Sequence, residues 1–136
     1  MCLASDRIPV DPPQEMTFYK VMRKEEMLFG GDPPVYTGQF VARVYEEGVK
    51  YEAEDLRGTK TVERTKTVNY TPGFHAFTDL DSARSWLNKW CHPTQDEYAI
   101  VECRGLVWLT GYTFGLHPLP AVVASTMTII REVDAS

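Results

Sequence analysis

The stretch from Gly73 to Trp90, GFHAFTDLDSARSWLNKW, constrains the fold more than any other part of the chain. It begins with a short apolar strand, Phe74 to Phe77. The residues that follow carry apolar side chains at intervals of three, four and three: Leu80, Ala83, Leu87 and Trp90. This spacing forms one apolar face of a helix. The pattern predicts a helix over about Asp79 to Trp90, capped at its start by Thr78 and packed on a sheet.

The totals limit the class of protein. A chain of 136 residues suffices for one domain with a substantial core, and a hydrophobic content of 43% is typical of globular proteins. The net charge of −5 argues against a duplex nucleic-acid binder and leaves open an acidic surface for a basic partner. Three cysteines, no signal peptide and no long apolar run predict a protein of the cytoplasm with no membrane span and no disulfide.

The order of strand and turn signals predicts the architecture. Residues 1–16 are rich in proline and acidic side chains and are expected to form an extended N-terminal arm, followed by a single α+β domain over 17–136. Strands are predicted on both sides of the helix, with a tight turn at Arg104-Gly105. This favours one main helix packed on a mainly antiparallel sheet, and leaves open whether the sheet curls toward a barrel.

Candidate chemistry centres on the corner between the strand and the helix. His75 would act there as a general base or ligand contact, or would bond a backbone carbonyl and hold the corner in place. A ligand pocket at this corner would use His75, Thr78, Tyr19 and Trp86. Cys103 lies in an apolar strand and is expected to be an inert core thiol. No motif or spacing assigns a catalytic residue, a cofactor or a metal site.

A basic segment is the second candidate. In the run Thr59 to Tyr70, TKTVERTKTVNY, the side chains of Lys60, Arg64 and Lys66 point to one side of a strand, which Tyr70 shares. They would contact an acidic partner, or would protect an exposed sheet edge from pairing with another chain. Tyrosines elsewhere would form an adhesive surface or pack the rim of the domain.

The order of short motifs carries a resemblance. The segments FYKVM, VYEEGVKY, GFHAF, DSARSW, YAIVEC and ASTMTIIREV follow one another as in small domains of unknown function encoded by bacteriophages, and the chain resembles that group. A weaker resemblance is to ADP-ribosyltransferase-like folds, in which a glycine-aromatic strand also leads into a helix. Those enzymes use a His or Arg on the first strand, and FYKVM has neither, so this resemblance implies an inactive relative.

Together these features favour a non-enzymatic binding protein, encoded by a phage, that inhibits a host or defence macromolecule. The expected partner is a host protein or protein complex in the host cytoplasm. The alternative is a small-molecule or nucleotide-binding domain, including a degenerate ADP-ribosyltransferase-like enzyme, with its pocket near His75.

Overall fold

The computed structural model describes residues 3–25, 34–38, 44–53, 73–90, 98–113 and 117–134. Eight strands and one helix form within these ranges. In chain order they are β1 (Leu3–Glu25), β2 (Val35–Gly38), β3 (Val44–Glu46), β4 (Lys50–Glu52), β5 (Phe74–Phe77), α1 (Leu80–Trp90), β6 (Tyr98–Thr113), β7 (Pro120–Ala124) and β8 (Thr126–Val133). The described part of the chain is thus a mainly antiparallel sheet with one helix, as the sequence predicts.

The strands belong to one sheet with the order β3-β2-β1-β5-β7-β6-β8-β4. β1 also pairs with β6, from Leu3 opposite Thr113 to Arg23 opposite Tyr98. The other edge of β6 is shared by β8 and β7. Since β5 pairs with both β1 and β7, the strands β1, β5, β7 and β6 form a closed circuit of pairings.

The N-terminal residues are part of this circuit. From Leu3 onward the predicted arm continues without a break into the predicted first strand, and both belong to β1. The register between β1 and β6 shifts between Ser5 and Ile8 and again between Pro9 and Gln14. Such irregularities let a strand accommodate prolines, which cannot donate to the hydrogen-bond ladder.

The predicted turn at Arg104-Gly105 is wrong, because β6 runs through both residues. A Cβ atom at Gly105 would lie 1.9 Å from the carbonyl oxygen of Thr126, so the glycine permits a close approach of two backbones. Next to it, the amide of Ser125 donates to the carbonyl of Leu106 at 2.8 Å. Glycine is required here for space within the sheet, a role that sequence reading confuses with a turn.

The two faces of the sheet bury different clusters. The inner cluster is large and includes aromatic residues from four strands: Phe18, Tyr36, Tyr45 and Phe74. The outer cluster lies between the sheet and the helix: Val21, Phe77, Ala83, Leu87 and Ile100. Tyr36 and Tyr45 therefore pack in the core, whereas Tyr112 is exposed.

The helix confirms the predicted apolar face at Ala83 and Leu87, which are fully buried, while Leu80 is partly buried. The predicted Thr78 cap is wrong. Asp79 caps the helix, because its Oδ1 accepts a bond from the Ser82 amide at 2.7 Å and its Oδ2 accepts one from the Ser82 hydroxyl at 3.0 Å. Aspartate adds a negative charge at the positive helix end, which a threonine hydroxyl cannot supply.

Candidate functional site

The fold brings two of the four side chains predicted to form a ligand pocket, Tyr19 and Trp86, into one cluster. Tyr19 pairs with Phe77 across β1 and β5, and the ring of Phe77 lies 5.9 Å from that of Trp86 between centroids. Tyr19 and Trp86 both pack on the outer cluster. Thr78 is exposed, and its amide donates to the carbonyl of Pro120 at 3.1 Å. The fold therefore brings Tyr19 and Trp86 together around Phe77, with Thr78 one residue beyond.

His75 lies on β5 and bonds the local backbone. Its Nδ1 lies 3.1 Å from the carbonyl oxygen of Gly73. A carbonyl can only accept, so Nδ1 carries the proton and donates. Burial, reinforced by the positive charge of Lys20, lowers the pKa of His75 to about 3. The imidazole is therefore neutral near pH 7, in the tautomer that the Gly73 carbonyl selects.

Lys20 joins this corner from β1. Its ammonium donates to the carbonyl oxygen of His75 at 2.7 Å. β1 pairs with β5 at Tyr19 and with β2 from Met22 onward. Lys20 therefore lies at the point where the pairing partner of β1 changes from β5 to β2. The side chain bonds a carbonyl at this fork between strands. Burial lowers the pKa of Lys20 to about 8.

Sequence reading missed Lys20, although a signal for it exists. In FYKVM, Lys20 has the same parity as Phe18 and Met22, whose side chains enter the inner cluster. Strict alternation would have placed the lysine on the buried side. Charged residues are rarely buried, so composition alone argues against this placement.

Cys103 is a free thiol in the core, in agreement with the prediction. Burial raises the pKa of Cys103 to about 12, so the thiolate, which is the reactive form, is not populated at neutral pH. Its Sγ makes a weak contact of 3.8 Å with the carbonyl of Val101. Its surroundings fit a packing role.

A row of polar side chains crosses the outer face. Tyr19, Glu102 and Arg131 lie opposite one another on β1, β6 and β8. The tyrosine hydroxyl lies 3.4 Å from Glu102 Oε1, and Arg131 Nε lies 3.3 Å from Glu102 Oε2. Burial, followed by the Glu102 charge, raises the pKa of Tyr19, so its hydroxyl remains a donor at neutral pH. Glu102 lies between buried Val101 and Cys103, and the alternation of side chains along a strand directs it away from their side of the sheet.

A second polar cluster lies on the opposite side of β8. Glu132 Oε1 accepts a bond from the Tyr36 hydroxyl at 3.3 Å and forms an ion pair with Lys24 at 3.0 Å. Burial, followed by the charges of Glu132 and Glu47, raises the pKa of Tyr36 to about 12. This cluster gives the buried tyrosine hydroxyl a charged acceptor, which is a structural requirement for a buried polar group.

The other predicted residues lie outside the described ranges. These are the proposed partner contacts Lys60, Arg64, Lys66 and Tyr70. Within the described ranges, no group of three or more His, Cys, Asp or Glu side chains is arranged to hold a metal ion. No helix in those ranges has the length and apolarity needed to cross a membrane.

Comparison of the chain with models of protein families, with curated proteins and with solved structures gave no match.

Proposed function

We propose that this chain is a non-enzymatic binding protein, encoded by a phage and acting in the host cytoplasm on a host or defence protein or protein complex. The observation that carries the proposal is the protonation state of His75, together with its hydrogen bonds. A general base near pH 7 needs a pKa close to that pH, whereas burial holds the pKa of His75 at about 3. The His75 ring bonds the Gly73 carbonyl, and the His75 carbonyl accepts a bond from Lys20. The residue most suited to catalysis therefore stabilises the strand–helix corner.

The charge of the protein supports binding as its mode of action. A net charge of −5 favours association with a positively charged surface and disfavours the phosphate backbone of a duplex. The basic run that contains Lys60, Arg64, Lys66 and Tyr70 is a proposed second contact, suited to an acidic region of the same partner. Inhibition would then follow from covering a functional surface of the partner.

The experiment is a capture of proteins from bacterial lysate with the tagged chain, repeated with a Lys60→Glu, Lys66→Glu double variant. A partner that is specifically retained by the wild type supports the proposal. If the double variant stays folded and monomeric but loses the partner, the basic run is a contact. If it keeps the partner and aggregates, the lysines protect an edge. Failure to retain any partner would contradict the proposed function.

A small-molecule or nucleotide-binding domain, including a degenerate ADP-ribosyltransferase-like one, is the second candidate. Its support is the grouping of Tyr19, Phe77 and Trp86 beside the row that ends at Arg131, because aromatic rings and a guanidinium suit a planar anionic ligand. The circuit of pairings supports a barrel-like sheet with an interior filled by side chains, so such a ligand would bind on the outer face.

This candidate is tested by titrating the protein with ATP and with NAD while the tryptophan fluorescence is recorded. Saturable quenching that is lost in Trp86→Phe and weakened in Arg131→Gln would support ligand binding. An unchanged spectrum at millimolar nucleotide would reject the nucleotide version of this candidate.

A further inference from the structure

Exposed apolar side chains gather around the turn between β3 and β4. In the described ranges the large apolar residues with substantial exposure are five: Ile8, Val44, Val49, Tyr112 and Ile130. Three of them adjoin this turn. Val44 lies on β3 and Val49 in the turn, and the Gly48 amide donates to the carbonyl of Ile129, next to Ile130, at 2.8 Å. We refer to Val44, Glu46, Glu47, Val49 and Ile130 as the hairpin surface.

The backbone beneath this surface is fixed. Tyr45 is buried, and its ring packs edge-to-face against Tyr51 with centroids 4.8 Å apart. The hydroxyl of Tyr51 accepts a bond from the Glu46 amide at 2.8 Å, which ties β4 to β3. Gly48 has φ of +83°, a conformation that glycine adopts without strain. A surface held in this way loses little conformational entropy when a partner binds.

Glu46 and Glu47 give the hairpin surface two negative charges, and the exposed Lys50 beside Val49 places one positive charge at its border. Glu46 and Glu47 are exposed, and neither carboxylate forms an ion pair with a described residue. This differs from the exposed Glu15, which pairs with Arg104 at 3.4 Å. Exposed carboxylates with spare acceptor capacity beside apolar side chains complement a segment that carries both Lys or Arg and apolar residues.

We infer that the hairpin surface is the docking site for a basic, partly apolar segment of the partner protein. Val44, Val49 and Ile130 would be covered by the apolar side chains of that segment, while Glu46 and Glu47 would pair with its cationic groups. This inference rests on the proposed binding function, and it specifies where the partner binds and which chemistry recognises it. Because the apolar area is small, the carboxylates would contribute much of the association rate and its salt dependence.

The test places a photoreactive benzoylphenylalanine at Val49 and, in a separate protein, at Ile8, which is also exposed but lies on β1. Both proteins are irradiated in bacterial lysate, and the crosslinked peptides are sequenced. We expect a product from position 49 that is absent from position 8 and weakened by 0.5 M NaCl. The crosslinked peptide should be rich in Lys or Arg.

Two charge-reversal variants complete the design. Glu46→Lys, Glu47→Lys should reduce capture about tenfold, as expected when contacts central to electrostatic recognition are reversed. The matched control is Asp11→Lys, Glu15→Lys, which makes the same change in net charge on exposed residues of β1. Its capture should stay within about twofold of the wild type. Equal thermal unfolding midpoints for the three proteins would show that folding is not the cause.

The possible results separate the two levels of the proposal. If a partner is captured but crosslinks equally from both positions, or if both charge reversals weaken capture equally, the docking site is refuted while the binding function stands. A neutral or acidic crosslinked peptide, or a second copy of this chain, also refutes it. If no partner is captured by any of these proteins, the binding function itself fails.

Discussion

Replacement of Lys20 by methionine should change how the stability of the protein depends on pH. The ammonium of Lys20 donates to the carbonyl of His75, and burial lowers its pKa from 10.5 to about 8. Between those two values the unfolded chain binds more protons than the folded one, so the free energy of unfolding rises with pH. Below pH 8 both states are protonated, and the slope from this group vanishes.

The size of the effect follows from the shift. One pKa unit corresponds to about 1.4 kcal/mol, so the wild type should gain at most about 3 kcal/mol between pH 8 and 10.5 from Lys20. Part of the residue remains accessible, which makes this figure an upper limit. In Lys20→Met the gain is absent. At pH 7 the variant escapes the cost of a buried charge but leaves the His75 carbonyl without its donor, a loss of about 1–3 kcal/mol.

At pH 7 the relieved cost of the buried charge and the lost hydrogen bond oppose each other. The diagnostic quantity is therefore the slope of the unfolding free energy against pH, compared between the two proteins. Urea unfolding followed by tryptophan fluorescence at pH 7, 8, 9 and 10 gives that slope for the wild type, for Lys20→Met and for the exposed control Lys50→Met. Lys50→Met should follow the wild type. Parallel curves for the wild type and Lys20→Met would refute the assignment of Lys20 as a buried, proton-linked group.

Three further predictions concern the core and the corner. Leu87→Ala should lower the free energy of unfolding by about 2–5 kcal/mol in urea, since Leu87 is fully buried; a loss below about 1 kcal/mol would contradict the packing. The folded-state pKa of His75 is depressed to about 3, so the wild type should lose stability as pH falls from 6.5 toward 3, and His75→Gln should flatten that limb; an unchanged limb would exclude His75 as its cause. Gly105→Ala should cost about 1–3 kcal/mol, because its methyl group would meet the Thr126 carbonyl; a thermal midpoint equal to that of the wild type would reject this role.

The helix and its strand were predictable because their signals are local. The spacing of Ala83 and Leu87 depends only on helical periodicity, and the strand from Phe74 to Phe77 is short and apolar. The cap was misplaced by one residue, since Thr78 and Asp79 are both good capping residues and only the backbone geometry decides between them.

The corner and the long strand were harder to predict because their causes are non-local. In the sequence Gly105 resembles a turn residue. Its role depends on Thr126, 21 residues later, whose backbone leaves no room for a side chain at position 105. The bond from Lys20 to the carbonyl of His75 joins residues 55 positions apart and depends on a fork between strands. Helix and strand patterns are read over shorter stretches of sequence, so neither pattern includes both partners of either contact.

The polar groups of the corner and those of the hairpin surface should affect different measurements. Lys20 and His75 bond the backbone at a junction of strands, so substituting them should alter stability and its pH dependence. Glu46 and Glu47 are exposed on an anchored turn, so reversing their charges should alter partner binding at nearly constant stability. If a Lys20 variant that remains folded loses the partner as completely as Glu46→Lys, Glu47→Lys does, then the interior corner, and not the hairpin surface, governs recognition.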